Sequence, residues 1–365
     1  MNRISEIDLS QVLPFLPPVI NMSDPTTAVR GDLLICCLGF EDRCVGILEE
    51  FKEKWKYEQG LLVVLDTNKD ANESNRGRIV DCLGVMCEST EEINADSLQF
   101  ENQLRTAINR LESKHGRPPI VTLDISVAAS RASLKIMKVL IHSTVELKVV
   151  YSEAETYSPS KTAYEVAPDK WCSDEVISTE VGVGAIVKSS TYAGQHLDAL
   201  PSCVILFANF RKDRNFAVLT HVDEVLHSSN SANVFWIVGV PKAKENEWRV
   251  SALREINAIS ADAKQHEVST FEYQQTIEIL ERIHSKKWDK YNVTISPLGS
   301  KLQNIGVAIF CYLHPEVRLL FASPAKYNSE EWSHGVGPKW QIEFGSMVQL
   351  RKNLDKLGAI EILNR

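Results

Sequence analysis

Short apolar runs rich in Val, Ile and Leu alternate along this chain with longer stretches whose apolar residues recur every three or four positions. The runs near 33–38, 60–66, 119–125 and 145–151, and again near 203–208, 233–239, 291–296 and 316–321, predict strands. The stretches between them, such as those opened by Phe100-Glu101 and Phe271-Glu272, predict amphipathic helices. Strands without an alternating polar face, interleaved with helices, specify β-α-β units and a parallel sheet covered on both sides. The segment 158–201 carries scattered Pro, Ser and Gly and predicts a connector with a β-rich part at 176–187. Residues 347–356 predict a short terminal helix.

The two sets of strands follow one plan. Arg131-Ala-Ser-Leu134 leads through a helical run to the strand ending at Tyr151 and a loop ending at Tyr157, and Lys301-Leu-Gln-Asn304 leads likewise to Phe321 and Tyr327. Arg131 and Lys301, Tyr151 and Phe321, and Tyr157 and Tyr327 each lie 170 positions apart. After the first strand of each set, Asp42-Arg43 matches Asp213-Arg214 at an offset of 171. Ordered matches of this kind are the signature of an internal duplication. The expected fold class is therefore α/β, with two tandem, internally duplicated Rossmann-like lobes, each a mostly parallel sheet flanked by helices. The expected boundaries are 1–160 for the first lobe, 161–201 for a partly β connector, 202–346 for the second lobe and 347–365 for a C-terminal helix and tail.

Charge narrows the partners. The 40 Lys and Arg against 48 Asp and Glu leave a net charge of −8, which argues against a broad basic face for duplex nucleic acid or a polybasic membrane segment. Any anion site must then be a local pocket. The 365 residues suffice for two cores. No run approaches the ~18 apolar residues of a membrane span, and the first residues lack a basic region followed by an apolar core, so the expectation is a cytoplasmic protein without membrane association. The eight cysteines, at 36, 37, 44, 82, 87, 172, 203 and 311, form no C-x-x-C pair and read as reduced, mostly buried thiols. The nine His show no H-E-x-x-H, and no Cys/His spacing suggests zinc, so no metal is expected.

Candidate chemistry clusters where strands give way to helices, the edge at which open parallel sheets bind ligands. Ser296-Pro-Leu-Gly299-Ser300-Lys301 combines a Gly for close backbone approach, a hydroxyl and helix amides for a phosphate, and a cation; its other reading is a capped helix start with a solvated Lys. Asp124-Ile-Ser126, with Arg131 beyond it, offers a carboxylate for a ribose hydroxyl or an attacking water, or a cap or ion pair for Arg131. Arg43 and Arg214 read as phosphate clamps or as partners of Asp42 and Asp213. Tyr157 and Tyr327 read as stacking platforms for bases or as lids over the core. Glu153 follows the fourth strand and is the second candidate acid or base beside Asp124. Gly182-Val-Gly184 lacks the third Gly of a dinucleotide fingerprint and reads as strand or turn, His334 lies in a polar loop, and Cys44 reads as a buried thiol.

At Ser296-Pro-Leu-Gly-Ser-Lys301 the sequence resembles the ligand loop of the CRISPR-associated Rossmann fold (CARF) sensors, a Ser-Pro-x-Gly-Gly-Thr-Lys type loop after a strand. A single chain with two such lobes is similar in plan to the SAVED sensors of prokaryotic antiphage defence. This chain has Gly-Ser where the family has Gly-Gly-Thr, and its first copy has Ala-Ala-Ser-Arg131 with no Gly. The resemblance implies a regulatory subunit that binds a nucleotide or cyclic oligonucleotide between pseudo-symmetric lobes. The ligand residues it implies are Arg43, Ser126, Arg131, Tyr157, Arg214, Ser296, Gly299, Ser300, Lys301 and Tyr327, and the partner it implies is an effector, ATPase or nuclease subunit. Two other readings stand beside it. One is a nucleotide hydrolase or glycosidase using Asp124 or Glu153, and the other is a non-catalytic scaffold whose Trp248, Trp332 and Trp340 mark protein contacts.

Overall fold

The computed structural model describes residues 13–22, 29–66, 69–166, 180–222, 233–327 and 333–363. It divides into two compact units, the first built on Pro14–Ser158 with Ser329–Asn353, the second mainly on Pro159–Asn328. Up to the fifth parallel strand of the first unit the elements run β1 (Ile20–Asn21), β2 (Val29–Cys37), α1 (Gly46–Phe51), β3 (Trp55–Val64), α2 (Arg76–Met86), β4 (Cys87–Asn94), α3 (Phe100–His115), β5 (Ile120–Asp124), α4 (Ser130–His142) and β6 (Glu146–Ser152). Then follow β7 (Thr156–Tyr157), α5 (Lys161–Val166), β8 (Glu180–Lys188), β9 (Ser202–Phe207), α6 (Lys212–Val222), β10 (Val234–Val240), α7 (Trp248–Ile256) and β11 (Gln265–Ser269). The chain continues with α8 (Tyr273–His284), β12 (Asn292–Ser296), α9 (Lys301–Leu313), β13 (Arg318–Tyr327), β14 (Ser333–His334), β15 (Lys339–Ser346) and α10 (Met347–Leu363).

The first unit holds a seven-stranded sheet in the order β1-β15-β6-β5-β2-β3-β4, and the second a six-stranded sheet in the order β11-β10-β9-β12-β13-β8. Read from β4 and from β11, the two orders coincide over six strands, and the first sheet adds β1 beyond β15. In each, five parallel strands end on one antiparallel strand, β15 on β6 and β8 on β13. This is the Rossmann-like α/β architecture in duplicate. It differs from the expected boundaries in one respect. Residues 180–188, read as connector, are an edge strand of the second sheet, and 339–346, read as part of the second lobe, pair with β6 in the first. The connector thus supplies the edge strand of the second sheet, and the segment after the second set of strands supplies the strand beside β6 in the first.

The sequence explains the layers. The central strand β2 ends in six consecutive buried residues because helices cover both faces of the sheet. Helix α3 buries Phe100, Leu104, Ala107, Ile108 and Leu111, one stripe at helical spacing, and stops at Gly116, whose φ of 65° is the left-handed cap that Gly adopts without strain. Helix α9 is buried nearly all round, from Leu302 to Leu313. Gly306 lets it approach α8, since a Cβ there would stand 2.5 Å from the Tyr273 carbonyl oxygen. Strands β4 and β11 were not marked by the pattern, because as edge strands they carry half-solvated polar residues such as Glu88, Glu91 and Glu267.

Seven described cysteines form no disulfide, six of them buried, and Cys172 lies outside the described residues. No described helix is long and apolar enough to cross a membrane.

Candidate functional site

In both sheets the order reverses between the first and fourth parallel strands, β2 and β5 in the first unit and β9 and β12 in the second. Connections leave these neighbours in opposite directions, so a crevice opens at their carboxyl ends. The register shows which residues correspond there. Leu123 pairs with Ile35 and Val149, and Ile295 with Ile205 and Leu319, so Asp124 and Ser296 hold equivalent positions. From these the chain takes five residues to reach α4 but four to reach α9. Lys301 therefore matches Ser130, and Arg131 lies one position deeper in its helix than the ungapped offset of 170 implies.

In the first unit the turn after β2 is a buried polar knot. The Arg43 guanidinium, 4% exposed, donates through Nε and Nη2 to Glu41 Oε2 at 3.0 and 2.8 Å, and through Nη1 to the Tyr151 hydroxyl at 3.3 Å. Tyr151 and Tyr157 share a hydrogen bond at 3.2 Å, the Tyr157 hydroxyl accepts from Ala154 N, and Arg43 lies over both rings. Ser333 Oγ also donates to Glu41, while Asp42 accepts from Gly335 N at 2.9 Å. The expected Asp42–Arg43 pair is thus replaced by Glu41–Arg43: Glu41 is buried with Arg43, whereas Asp42 is turned outward.

Beside this knot Asp124 Oδ1 accepts from Ser126 N at 2.8 Å and Ser126 Oγ at 2.5 Å, and Ser126 Oγ accepts from Ser152 N at 2.9 Å. Burial pushes the Asp124 carboxyl up to about 6, against the pull of the Ser126 bonds and of Arg43. Asp124 neither caps α4, whose N-cap is Ala129, nor pairs with Arg131. Arg131 pairs instead with Asp96. Glu153 is held through its main chain, donating to Pro338 O and accepting from Gly337 N. Burial also pushes the Cys44 thiol well up, so it is a core thiol rather than a nucleophile. His334 sits in β14, paired with β7.

In the second unit, the turn after β9 carries an ion pair in inverted order. Arg211 donates through Nε and Nη2 to the two oxygens of Asp213 at 2.9 and 2.7 Å. Arg214, read as a phosphate clamp or a partner of Asp213, donates through Nε to the Ala322 carbonyl at 2.7 Å, within the fifth strand. Ser300 forms a capping box: Gln303 N donates to its Oγ, and its own N donates to Gln303 Oε1. A Cβ on Gly299 would stand 2.6 Å from the Phe207 ring, so close packing is what requires this glycine. Lys301 opens the helix, half-buried. The Ser296 hydroxyl is fully buried and makes no hydrogen bond. The Tyr327 ring lies outside the described side chains. Gly182-Val-Gly184 is part of β8, and Trp248 packs against Tyr164 and Phe210. Trp332 lies outside the described residues. We expect Ser300→Ala to lower stability by about 1 kcal/mol, read by urea unfolding, because it removes the hydroxyl that caps Gln303 N and donates to Thr270 O, while the backbone bond to Gln303 Oε1 stays.

Sequence reasoning missed a cleft of about 300 Å³ over the carboxyl ends of β2, β3 and β4 in the first unit, lined among others by Leu38, Val64, Asp66, Lys69, Arg76 and Asn94. Asp66 accepts from Asn94 Nδ2 at 2.8 Å and its amide donates to Asp96 at 2.9 Å, so the Arg131–Asp96 pair borders the cleft. Arg76 is bonded to Glu73 and Glu92. The available signal was the strand-end position of Asp66, which the apolar run 60–66 nearly reaches.

No family model and no curated protein matches the chain. Among solved structures it is similar to the crystal structure of the cytoplasmic domain of a prokaryotic cation chloride cotransporter, at 10% identity and a TM-score of 0.24, over 83% of this chain and 99% of that one. At that score the two chains share too little superposable structure for the likeness to bear on function.

Proposed function

We propose that this protein binds a nucleotide or a cyclic oligonucleotide without turning it over, and passes the binding event to a partner effector as a regulatory subunit of prokaryotic defence. The observation that carries the reading is the cleft of the first unit. Asp66 stands two residues past β3, where doubly wound folds put the carboxylate that holds a ribose hydroxyl. Lys69 lines the cleft, and a phosphate would also engage Arg76 and Arg131 in place of the carboxylates that now hold them, Glu73 and Glu92 for Arg76 and Asp96 for Arg131. The second unit adds a separate anion-compatible helix start, with Lys301 on its first turn and the unsatisfied Ser296 hydroxyl before it.

The test is a thermal-shift screen of the full chain with mono-, di- and cyclic oligonucleotides, followed by recovery of the ligand. A ligand at 100-fold its Kd stabilises the native state by about 2.7 kcal/mol. The wild type is expected to shift, with Asp66→Ala losing the shift for ligands held in the first unit and Lys301→Ala for those held in the second. The ligand should be recovered intact. No shift with any nucleotide would overturn the proposal.

A hydrolase or glycosidase reading is favoured by one observation, the near-neutral Asp124, whose carboxyl titrates where a general acid or base works. A ligand consumed by the wild type and spared by Asp124→Asn would move the assignment to that reading.

A further inference from the structure

At the opposite edge of the second sheet, α8 and α9 end beside one another. Each runs from the carboxyl end of one strand to the amino end of the next, so their carboxyl-terminal carbonyls, which favour cations, face the same edge. Glu281 and His284 lie one turn apart on α8, and His314 follows α9 directly. All three are buried, at 2%, 0% and 1% exposure. The two imidazoles are tilted by 41° to one another with centroids 3.8 Å apart. His314 Nε2 meets Glu281 Oε2 at 2.6 Å, and His284 Nε2 meets Glu316 Oε1 at 2.8 Å. The His284 Nδ1 is buried without a hydrogen-bond partner, and the His314 Nδ1, likewise without one, stands 3.5 Å from Glu316 Oε1.

We propose that Glu281, His284 and His314 form a buried site for a divalent transition ion of the zinc class, with Glu316 orienting His284. One ligand atom from each of the three lies within 4.8 Å of the others. Zinc bonds of about 2.0–2.2 Å draw such atoms closer, a change within reach of side-chain rotation. Two imidazoles and a carboxylate select a borderline transition ion over Mg²⁺ or Ca²⁺, which favour oxygen alone. A carboxylate on the far nitrogen of a ligating imidazole is the usual outer support of such a site, and Glu316 supplies it. Three protein ligands leave one tetrahedral position, which a water would fill, and the metal would satisfy the buried His284 nitrogen that now has no hydrogen-bond partner. Spacing along the chain hides the site, since His314 joins the other two only through the packing of α8 against α9.

The experiment uses the full chain, stripped with a chelator and titrated with Co²⁺ and then Zn²⁺. The expected result is one equivalent of Zn²⁺ per chain retained through gel filtration, and a tetrahedral Co²⁺ visible spectrum that Zn²⁺ abolishes. His284→Gln and His314→Gln should each weaken binding by about 100-fold or more, and Glu316→Gln by about 10–100-fold. His142→Gln, an exposed control in the first unit, should leave binding unchanged. The wild-type result stands even where a variant fails to fold: a folded wild type that retains no Zn²⁺ and gives no tetrahedral Co²⁺ band would overturn the site. So would a folded His284→Gln that binds Zn²⁺ as tightly as wild type, because the ion would then sit elsewhere.

Discussion

Asp124→Asn is expected to become more stable than the wild type as the pH rises, with the difference growing by about 3 kcal/mol between pH 4 and pH 8. The sign follows from burial. In the unfolded chain the carboxyl ionises near 3.8, whereas in the native state it holds its proton up to about 6. Below the lower value both states are protonated and the group is neutral to folding. Between the two values the native state binds more proton, so stability falls as pH rises. Above the upper value the full cost of the buried charge remains. Asparagine keeps an oxygen for the Ser126 amide and hydroxyl but carries no charge, so its curve should lack this descent. Urea unfolding of both proteins across the range measures it, and a difference that stays constant with pH would mean that Asp124 ionises normally. A carboxylate kept where it costs stability is what a functional site shows, which gives this measurement bearing on the role of the crevice.

Arg43→Met is expected to cost about 3–5 kcal/mol. Glu41 is 6% exposed and has its charge balanced by the two nitrogens of Arg43. Removing the guanidinium leaves a buried carboxylate with only the Ser333 hydroxyl among its named partners, and strips the Tyr151 hydroxyl of a donor. The double variant Glu41→Gln with Arg43→Met should recover most of that loss, since a neutral amide is far less costly to bury alone. A full double-mutant cycle by chemical unfolding reads the coupling. If the single and double variants are equally unstable, the guanidinium acts through its packing on Tyr151 and Tyr157 rather than through charge.

Both predictions concern residues that the chain pattern marks, but only for Asp124 does it also mark the partner. Arg43 was legible as a strand-end cation, but its neighbour Asp42 was the natural ion-pair choice. Which of two adjacent acids turns inward depends on the curl of a short turn and on Ser333, 292 positions away from Glu41. Arg131 was legible for the same reason, and its true partner Asp96 lies in a loop without pattern. Asp124 and Ser126 were legible as a unit, because a two-residue spacing after a buried strand brings an aspartate oxygen to the amide that follows it. In the Ser296–Lys301 loop the capping role of Ser300 was one of the two readings offered, and Gln303 three residues on is the signature that decides it.

The sequence by itself determined the alternation of buried strands and helices, the duplication, and the carboxyl edge on which the candidate residues lie, because each follows from periodicity and from the order of apolar runs. Only the tertiary structure decided that β8, from the connector, completes the second sheet and β15 the first, since an edge strand pairs through its backbone and any extended segment of suitable length can do so. It also decided which acid meets which base, and brought Glu281 and His284 to His314. Those contacts depend on side-chain packing between elements distant in the chain, and local pattern carries no record of it.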